Sequence, residues 1–253
     1  MVIDRIIVTV SIISFLGACA TASRGPTIVD IARVSVTGAE LRYHGHISHE
    51  ANARLFALAA TSATKPRRLV VTSQGGNVEA GMELGEWVFD EGLDVYVPEY
   101  CVSSCANYVF PAGKRKFLND SAMLFWHGGA LQELPDVESL CDEVDWREEM
   151  LVCDEAQLLA LRDSTVARIK VREAAFFATI KVDQNITVLG QYPDYDCMRS
   201  GGYSGWYYSI QDMETMGVTD IVVYGDAWQP VTPLPEIRIC QVILGRPAIE
   251  TLR

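Results

Sequence analysis

The sequence predicts an α/β fold, and three observations carry the prediction. Short apolar segments alternate with amphipathic segments from about residue 28 to residue 130, as in folds built from ββα or βαβ units. Glycine pairs follow two of the apolar segments, where a strand would turn into the next element. Of the 253 residues, 49% are hydrophobic and 21% are charged, which suits a chain with a large core.

Local signals place each element. Ser48 is a good helix N-cap, Pro66 interrupts the pattern behind the first helix, and Gly92 ends the second. The predicted strands are 28–36, 40–47, 68–73, 93–97, 117–118, 122–125 and 221–224. The predicted helices are 49–61, 78–91, 101–109 and 210–216.

The segment 131–181 departs from this alternation and predicts a helical insertion. Residues 133–155 hold ten acidic side chains and one basic side chain, whereas 162–181 is net basic. Two interpretations remain open: the two parts pack against each other, or each has a solvated face. An aromatic, Gly-rich loop spans 191–206. The α/β domain is assigned to 28–230 and a C-terminal tail to 231–253.

The net charge of −12 and the apolar runs exclude two classes of protein. A nucleic-acid-binding protein needs a basic face, which this charge argues against. A protein with several membrane spans needs apolar runs of about 18 residues, and none follows the first 20 residues.

The N-terminal residues resemble the signal of a bacterial lipoprotein. Arg5 precedes an apolar run over 6–16 that is too short to span a bilayer, and Cys19 follows small residues. The resemblance implies a signal peptide at 1–18, a lipid on Cys19, a tether over 19–27 and a location on the periplasmic side of the envelope. Ala20 favours the outer membrane. Two alternatives are a secretory signal cleaved at another small residue and a folded first strand.

With Cys19 assigned to the lipid, six of the seven cysteines remain. An even number in an exported protein permits up to three disulfides, whereas free thiols or metal ligands are the alternative. Zinc is disfavoured because the first two cysteines lack a CxxC partner and a nearby histidine. The six are Cys101, Cys105, Cys141, Cys153, Cys197 and Cys240.

Three segments carry residues of the types that act in catalysis. Gly75 and Gly76 follow a predicted strand, where backbone N–H groups can face an oxyanion, although such a pair is often only a turn. Ser103 and Ser104 open a predicted helix, where a serine is either an N-cap or an exposed nucleophile. His127 closes an apolar strand, where a histidine is either structural or a general base.

In their order and spacing these segments resemble the Clp protease proteolytic-subunit family, within the Clp/crotonase superfamily. The family pattern SPGGxVxAGM corresponds to SQGGNVEAGM at 73–82, with Gln74 in place of proline. The pattern AASMGxxLLxAG, aligned on its final Ala-Gly at Gly113, places Ser104 at the nucleophile. His127 then matches the catalytic histidine. The resemblance covers about residues 40–130 and returns faintly at 206–220.

The resemblance implies a Clp/crotonase-like fold, a repeated ββα superhelix with the helical insertion, and a serine peptidase. The implied roles are nucleophile for Ser104, general base for His127, and oxyanion hole for the N–H groups of Gly76 and Cys105. A disulfide between Cys101 and Cys105 would clamp the turn around the nucleophile.

One position departs from the family pattern. The catalytic aspartate of the family lies four residues before the serine that opens the closing helix, and Gly205 stands there. The histidine could instead be oriented by Asp194, by Asp196 or by a backbone carbonyl, or the site could be inactive. The acidic insertion occupies the place of the family's oligomer-forming segment, so ring assembly and docking to an ATPase do not carry over.

Three functional hypotheses follow. The first is an exported, ATP-independent serine peptidase with a peptide or protein substrate; the second is an inactive scaffold that binds peptides or an envelope protein; the third is a crotonase-type acyl-CoA enzyme. The sequence indicates no cofactor. It indicates no metal either, because His44, His46 and His49 read as surface residues. The substrate and the oligomeric state are not readable from the sequence.

Overall fold

The computed structural model describes residues 32–133, 155–195, 197, 202–232 and 237–245. The predicted signal, Cys19, the tether, Cys141 and Cys153 lie outside these residues. Across the described part, every helix falls short of the length and apolar character that crossing a membrane requires.

The described residues form ten strands: β1 (Arg33–Thr37), β2 (Glu40–His44), β3 (Arg68–Thr72), β4 (Asp94–Val97), β5 (Tyr100–Val102), β6 (Lys116–Asn119), β7 (Met123–Phe125), β8 (Gly205–Tyr208), β9 (Ile221–Tyr224) and β10 (Ile239–Val242). The helices are α1 (His49–Thr61), α2 (Val78–Asp90), α3, α4 (Glu155–Ile180) and α5 (Ile210–Thr215). Helix α3 is wound as a π-helix over Cys105–Val109 and as an α-helical turn over Phe110–Ala112. Two 3₁₀ turns follow α4, at Gln184–Thr187 and Leu189–Gln191.

The main sheet has six strands in the order β1-β2-β3-β4-β6-β9. Strands β1 and β2 are antiparallel, and every other neighbouring pair is parallel. The protein is therefore a mixed α/β fold with a mostly parallel sheet, which confirms the predicted α/β class. Parallel neighbours need crossover connections, and α1 and α2 supply two of them.

Helix caps fix the first two helices within one residue of the prediction. The Ser48 side chain accepts the Ala51 N–H at 3.2 Å, and the Asn77 side chain accepts the Ala80 N–H at 2.9 Å. Each cap satisfies one of the N–H groups that a helix N-terminus leaves without a partner. Gly92 follows α2 at φ 62°, a left-handed conformation that glycine adopts without a Cβ penalty.

The core lies between one face of the main sheet and the helices packed on it. Apolar side chains that alternate along the strands, such as Leu41, Leu69 and Val95, are wholly or almost wholly buried. Helix α2 contributes Met82 and Leu84 to the same core. The period of two along the strands and the helical period along α2 bring these residues to one interface.

Helix α4 packs on α2 through ion pairs. Arg168 binds Glu79, and the Arg172 guanidinium donates to Glu86 at 3.1 Å. Basic residues of the insertion thus meet acidic residues of α2. The acidic residues 134–154 lie outside the described part, so their packing stays a prediction.

The predicted helix over 101–109 is wrong at its start. Cys101 lies in β5, where it pairs with Leu124 of β7, and the helix begins only after Ser103. The buried pairing of three residues with a neighbouring strand overrides the small-residue composition that suggested a helix.

Two small parallel sheets complete the domain, β5 with β7 and β8 with β10. Isolated bridges connect them to each other and to the main sheet, at Ser73–Cys101 and Trp126–Trp206. Strand β10 lies in the stretch assigned to a tail, and a disulfide joins its Cys240 to Cys197, with 5.8 Å between the two Cα atoms.

Candidate functional site

Strands β5 and β7 bring Ser104 and His127 to the same edge. They pair in parallel with Val102 opposite Phe125, and each of the two site residues lies two positions beyond that pair. Neighbouring strands are about 4.8 Å apart, so both chains leave the sheet side by side. The Ser103 N–H donates to the Phe125 carbonyl at 3.3 Å, which continues the pairing to the turn.

The turn before Ser104 has a special backbone conformation. Ser103 has φ 57°, in the left-handed region, where a residue other than glycine is uncommon and strained. A disulfide joins Cys101 to Cys105 across this turn, with 5.2 Å between the Cα atoms. Both cysteines are fully buried. The bridge therefore joins β5 to the first residue of α3 and encloses residues 102–104, which include Ser103 and Ser104.

Gly75 and Gly76 lie against this turn, and their lack of side chains permits the approach. A Cβ on Gly75 would lie 2.7 Å from both the Val102 carbonyl oxygen and the Ser103 Cβ. A Cβ on Gly76 would overlap the Ile47 carbonyl oxygen. The Gly-Gly pair is thus required by close backbone contact as well as by the left-handed φ of 95° at Gly75.

Two backbone N–H groups beside Ser104 have no acceptor among the described residues. The bridge to Ile47 uses the Gly75 carbonyl, at 2.8 Å, and the Asn77 N–H, at 3.0 Å, and leaves the Gly76 N–H unused. The Cys105 N–H belongs to the first turn of α3, where N–H groups have no intrahelical partner. Both groups are available to an oxyanion.

The Ser104 hydroxyl donates to the Gly76 carbonyl at 2.8 Å, and the residue is only 2% exposed. Within the described part of the chain, no hydrogen bond joins it to the His127 ring. Catalytic hydrogen bonds often form only in the substrate complex. Rotation of the Ser104 side chain toward His127 would break one hydrogen bond, whose net value is about 1 kcal/mol.

His127 is half-buried, beside the Phe125 ring at 6.4 Å between centroids. Burial lowers the pKa of its imidazole below the ordinary 6.5, against a smaller opposing effect of a hydrogen bond to its own backbone. Burial therefore favours the neutral imidazole, which is the form that accepts a proton.

Gly205, the position where the resembled pattern has its aspartate, has no room for a side chain. Gly205 opens β8, and Trp126 and Trp206 exchange backbone hydrogen bonds of 2.8 Å next to it. A Cβ on Gly205 would overlap the Trp126 carbonyl oxygen and lie 2.6 Å from the Phe125 ring.

Of the two alternative aspartates, the structure describes only Asp194. Asp194 is exposed and makes no hydrogen bond to His127, and Asp196 lies outside the described residues. Over the described ranges, no carboxylate is hydrogen-bonded to the His127 ring.

Glu173, which the sequence motifs do not include, is a fully buried carboxylate behind the His127 loop. The Tyr108 hydroxyl and the Gln184 amide each donate to it at 2.6 Å, and the Ala130 N–H donates at 3.2 Å. A signal was present in the sequence. Helical spacing places Glu173 on the apolar stripe of α4, which also contains Ile169, Phe176, Phe177 and Ile180.

The three clustered histidines do not form a metal site in the described chain. No group of three or more metal-ligating side chains is close enough there to hold an ion. His49 is exposed and its ring lies 2.9 Å from Glu83, whereas His46 is half-buried beside Gly76.

No family model matches the sequence, and no curated protein matches it. Among solved structures, the chain is similar to one described as an enoyl-CoA hydratase from Streptomyces coelicolor A3(2). The identity is 16%, the TM-score is 0.27, and the alignment covers 41% of this chain. It spans 50% of the length of that structure.

Proposed function

We propose that the protein is an exported, Clp-like serine peptidase that works without ATP, and that its fold is the ββα superhelix of that family. The observation that carries the proposal is the register of β5 and β7. Ser104 and His127 each follow the strand pair Val102–Phe125 by two residues, and the Gly75–Gly76 turn lies beside the serine. The proposed substrate is a peptide or a protein.

In the proposed reaction, the Ser104 Oγ leaves the Gly76 carbonyl and forms a bond to the carbonyl carbon of the substrate. His127 accepts the Oγ proton, and the N–H groups of Gly76 and Cys105 bind the oxyanion. The C–N bond then breaks as His127 returns the proton to the leaving amine. Water hydrolyses the acyl-enzyme with His127 again as the base, which releases the acid and restores Ser104.

The proposed centre is a dyad with a neutral base. Burial favours the neutral form of the His127 imidazole, which is the form that accepts a proton, and the lowered pKa also makes it a weaker base. A carboxylate also orients the imidazole and stabilises the imidazolium, and disabling it lowers kcat by about 10⁴-fold in a Ser-His-Asp enzyme. The proposed peptidase is therefore slow compared with an enzyme that has a complete triad.

Labelling with a fluorophosphonate probe tests the proposal. We expect the wild-type protein to be labelled on Ser104, and Ser104→Ala to lose the label completely because the nucleophile is gone. Ser121→Ala is the matched control, because Ser121 is exposed and lies away from the turn. Intact mass and peptide mapping report the labelled residue. A folded wild-type protein that takes no label would contradict the proposal.

A second candidate function is a non-catalytic scaffold that binds peptides or an envelope protein. Two observations favour it: the Ser104 hydroxyl is bound to the Gly76 carbonyl, and no described carboxylate contacts the His127 ring. A scaffold would bind a peptide with the same affinity in Ser104→Ala and would take no fluorophosphonate label. The labelling experiment therefore separates the two functions.

The pH dependence follows from the lowered pKa of His127. A general base acts in its neutral form, so the rate of Ser104 labelling rises with pH through the pKa of the imidazole. Because burial lowers that pKa, we expect the midpoint below 6.5 and a rate that levels off above the midpoint. Labelling rates from about pH 4.5 to 8 measure it. A midpoint above 6.5 would show that a negative charge stabilises the imidazolium.

The proposed location is the periplasmic side of the envelope, with the protein anchored by a lipid on Cys19. The N-terminal signal-like sequence supports it, and so do the Cys101–Cys105 and Cys197–Cys240 disulfides, because such bonds persist in oxidising compartments. The mass of the mature N-terminus tests it, since an unmodified Cys19 would contradict the anchor.

A further inference from the structure

The loop 127–130 is held by side chains from three other elements. The Gln191 amide donates to the His127 carbonyl at 3.0 Å. The Asn107 amide donates to the Gly128 carbonyl at 2.9 Å. The Ala130 N–H donates to Glu173. Among the described residues, no side chain of another element forms a hydrogen bond to the His127 ring, so the position of the ring depends on how this backbone is held.

Glu173 joins this loop to α3, the helix that begins directly after Ser104. One carboxylate oxygen accepts the Tyr108 hydroxyl at 2.6 Å, and both oxygens lie 3.2 Å from the Ala130 nitrogen. Tyr108 lies on α3, four residues after Ser104, and Ala130 lies three residues after His127. A single buried side chain thus contacts both segments of the candidate site.

The donors around Glu173 explain how a carboxylate is accommodated in the core. It is fully buried, and no Lys, Arg or His forms an ion pair with it in the described chain. A buried polar group without a partner destabilises the fold, so the donors from Tyr108, Gln184 and Ala130 are required. The pKa of Tyr108 is raised, mainly by burial and further by Glu173, so its hydroxyl stays a donor.

The loop packs closely against its surroundings at Gly129, beside Glu173. A Cβ on Gly129 would overlap the Thr187 hydroxyl and would lie 3.2 Å from the Glu173 carboxylate. A reacting group that is misplaced by about 1 Å can lower a rate by about 10²-fold. A support that fixes this loop against α3 therefore has a direct effect on the distance between Ser104 and His127.

We propose that Glu173 is a positioning residue, which holds the His127 loop against α3 through hydrogen bonds and takes over the orienting task of the missing aspartate. Glu173 does not contact the imidazole in this arrangement. It acts through Ala130 on one side and Tyr108 on the other. The effect of Glu173 on catalysis rests on the proposed function. Its effect on the position of the His127 imidazole can be measured whether or not the protein is a peptidase.

The test compares Glu173→Ala with Glu173→Gln. The amide of Glu173→Gln keeps an oxygen for Tyr108 and Ala130, and the Gln184 amide can turn to accept its NH₂ group. Glu173→Ala removes every one of these contacts. We expect Glu173→Ala to lower kcat by about 10²-fold with KM changed by less than about twofold, and Glu173→Gln to stay within about tenfold of wild type.

Proton–carbon NMR of the imidazoles gives a readout that does not need turnover. The protein has four histidines, and His127→Ala assigns the signal of His127. We expect Glu173→Ala to shift this signal and leave those of His44, His46 and His49 in place, and Glu173→Gln to restore it. Tyr108→Phe, which keeps the ring and removes one donor, gives an intermediate shift if Glu173→Ala fails to fold.

Arg172→Ala is the matched control, because Arg172 precedes Glu173 on α4 but binds Glu86 on α2. We expect a lower melting temperature and an unchanged His127 signal. An unmoved signal in both Glu173→Ala and Tyr108→Phe would overturn the inference, as would a Glu173→Gln variant as impaired as Glu173→Ala, since the charge itself would then act. Absence of turnover in the wild type overturns the proposed peptidase but not the positioning role.

Discussion

We expect His127→Ala to lower kcat for peptide cleavage by about 10³- to 10⁴-fold, with little change in KM. General acid–base catalysis by one side chain contributes about 10²- to 10⁴-fold, and His127 is the only base assigned to the proposed site. The imidazole does not hold substrate in the proposed reaction, so the loss falls on kcat. Steady-state kinetics with a fluorogenic peptide measures both constants.

His49→Ala is the control for this variant. His49 is exposed, and its ring pairs with Glu83 rather than with the Ser104 turn. We expect its kcat to equal that of the wild type. Added imidazole should restore part of the activity of His127→Ala, because the substitution leaves a space where the ring was. A His127→Ala variant with wild-type kcat would show that the activity does not use this base.

The variant Gly205→Asp is expected to lose much of its stability. We expect this variant, which introduces the residue of the Clp pattern that the sequence resembles, to lower the free energy of unfolding by about 4 kcal/mol or more without raising kcat. The new Cβ would overlap the Trp126 carbonyl oxygen, and the carboxylate would be forced among buried residues. Unfolding in urea measures the loss.

Gly92→Ala is the control for a glycine substitution. Gly92 has φ 62°, and a Cβ there would meet no atom within 4 Å. Only the left-handed conformation opposes the change, so we expect a loss of about 1–2 kcal/mol. A Gly205→Asp variant that is as stable as wild type and has a higher kcat would show that β8 can shift to admit a third catalytic member.

Local signals in the sequence predicted much of the fold. The Ser48 cap and the break at Pro66 bounded α1, and the strand at 221–224 was placed correctly from its apolar run. These signals work because a cap or an alternation involves residues a few positions apart. The helix predicted over 101–109 failed at Cys101, where pairing with Leu124 decided the conformation.

The candidate site divides in the same way. The sequence predicts that Gly76, Ser104 and His127 lie at one edge of the fold, because each follows a strand and parallel strands end at one edge. The hydrogen bond from the Ser104 hydroxyl to the Gly76 carbonyl was not readable. It joins residues 28 positions apart, and neither periodicity nor capping reports on such a contact.

By itself, the sequence determined the α/β class, the bounds of α1 and α2, and the chain order of the residues in the candidate site. Only the tertiary structure decided that Gly205 has no room for a carboxylate, that Cys197 pairs with Cys240, and that Glu173 lies behind the His127 loop. The reason is physical. Capping and alternation act between near neighbours in the chain, whereas steric exclusion, disulfide pairing and burial of a carboxylate depend on which distant segments the fold brings together.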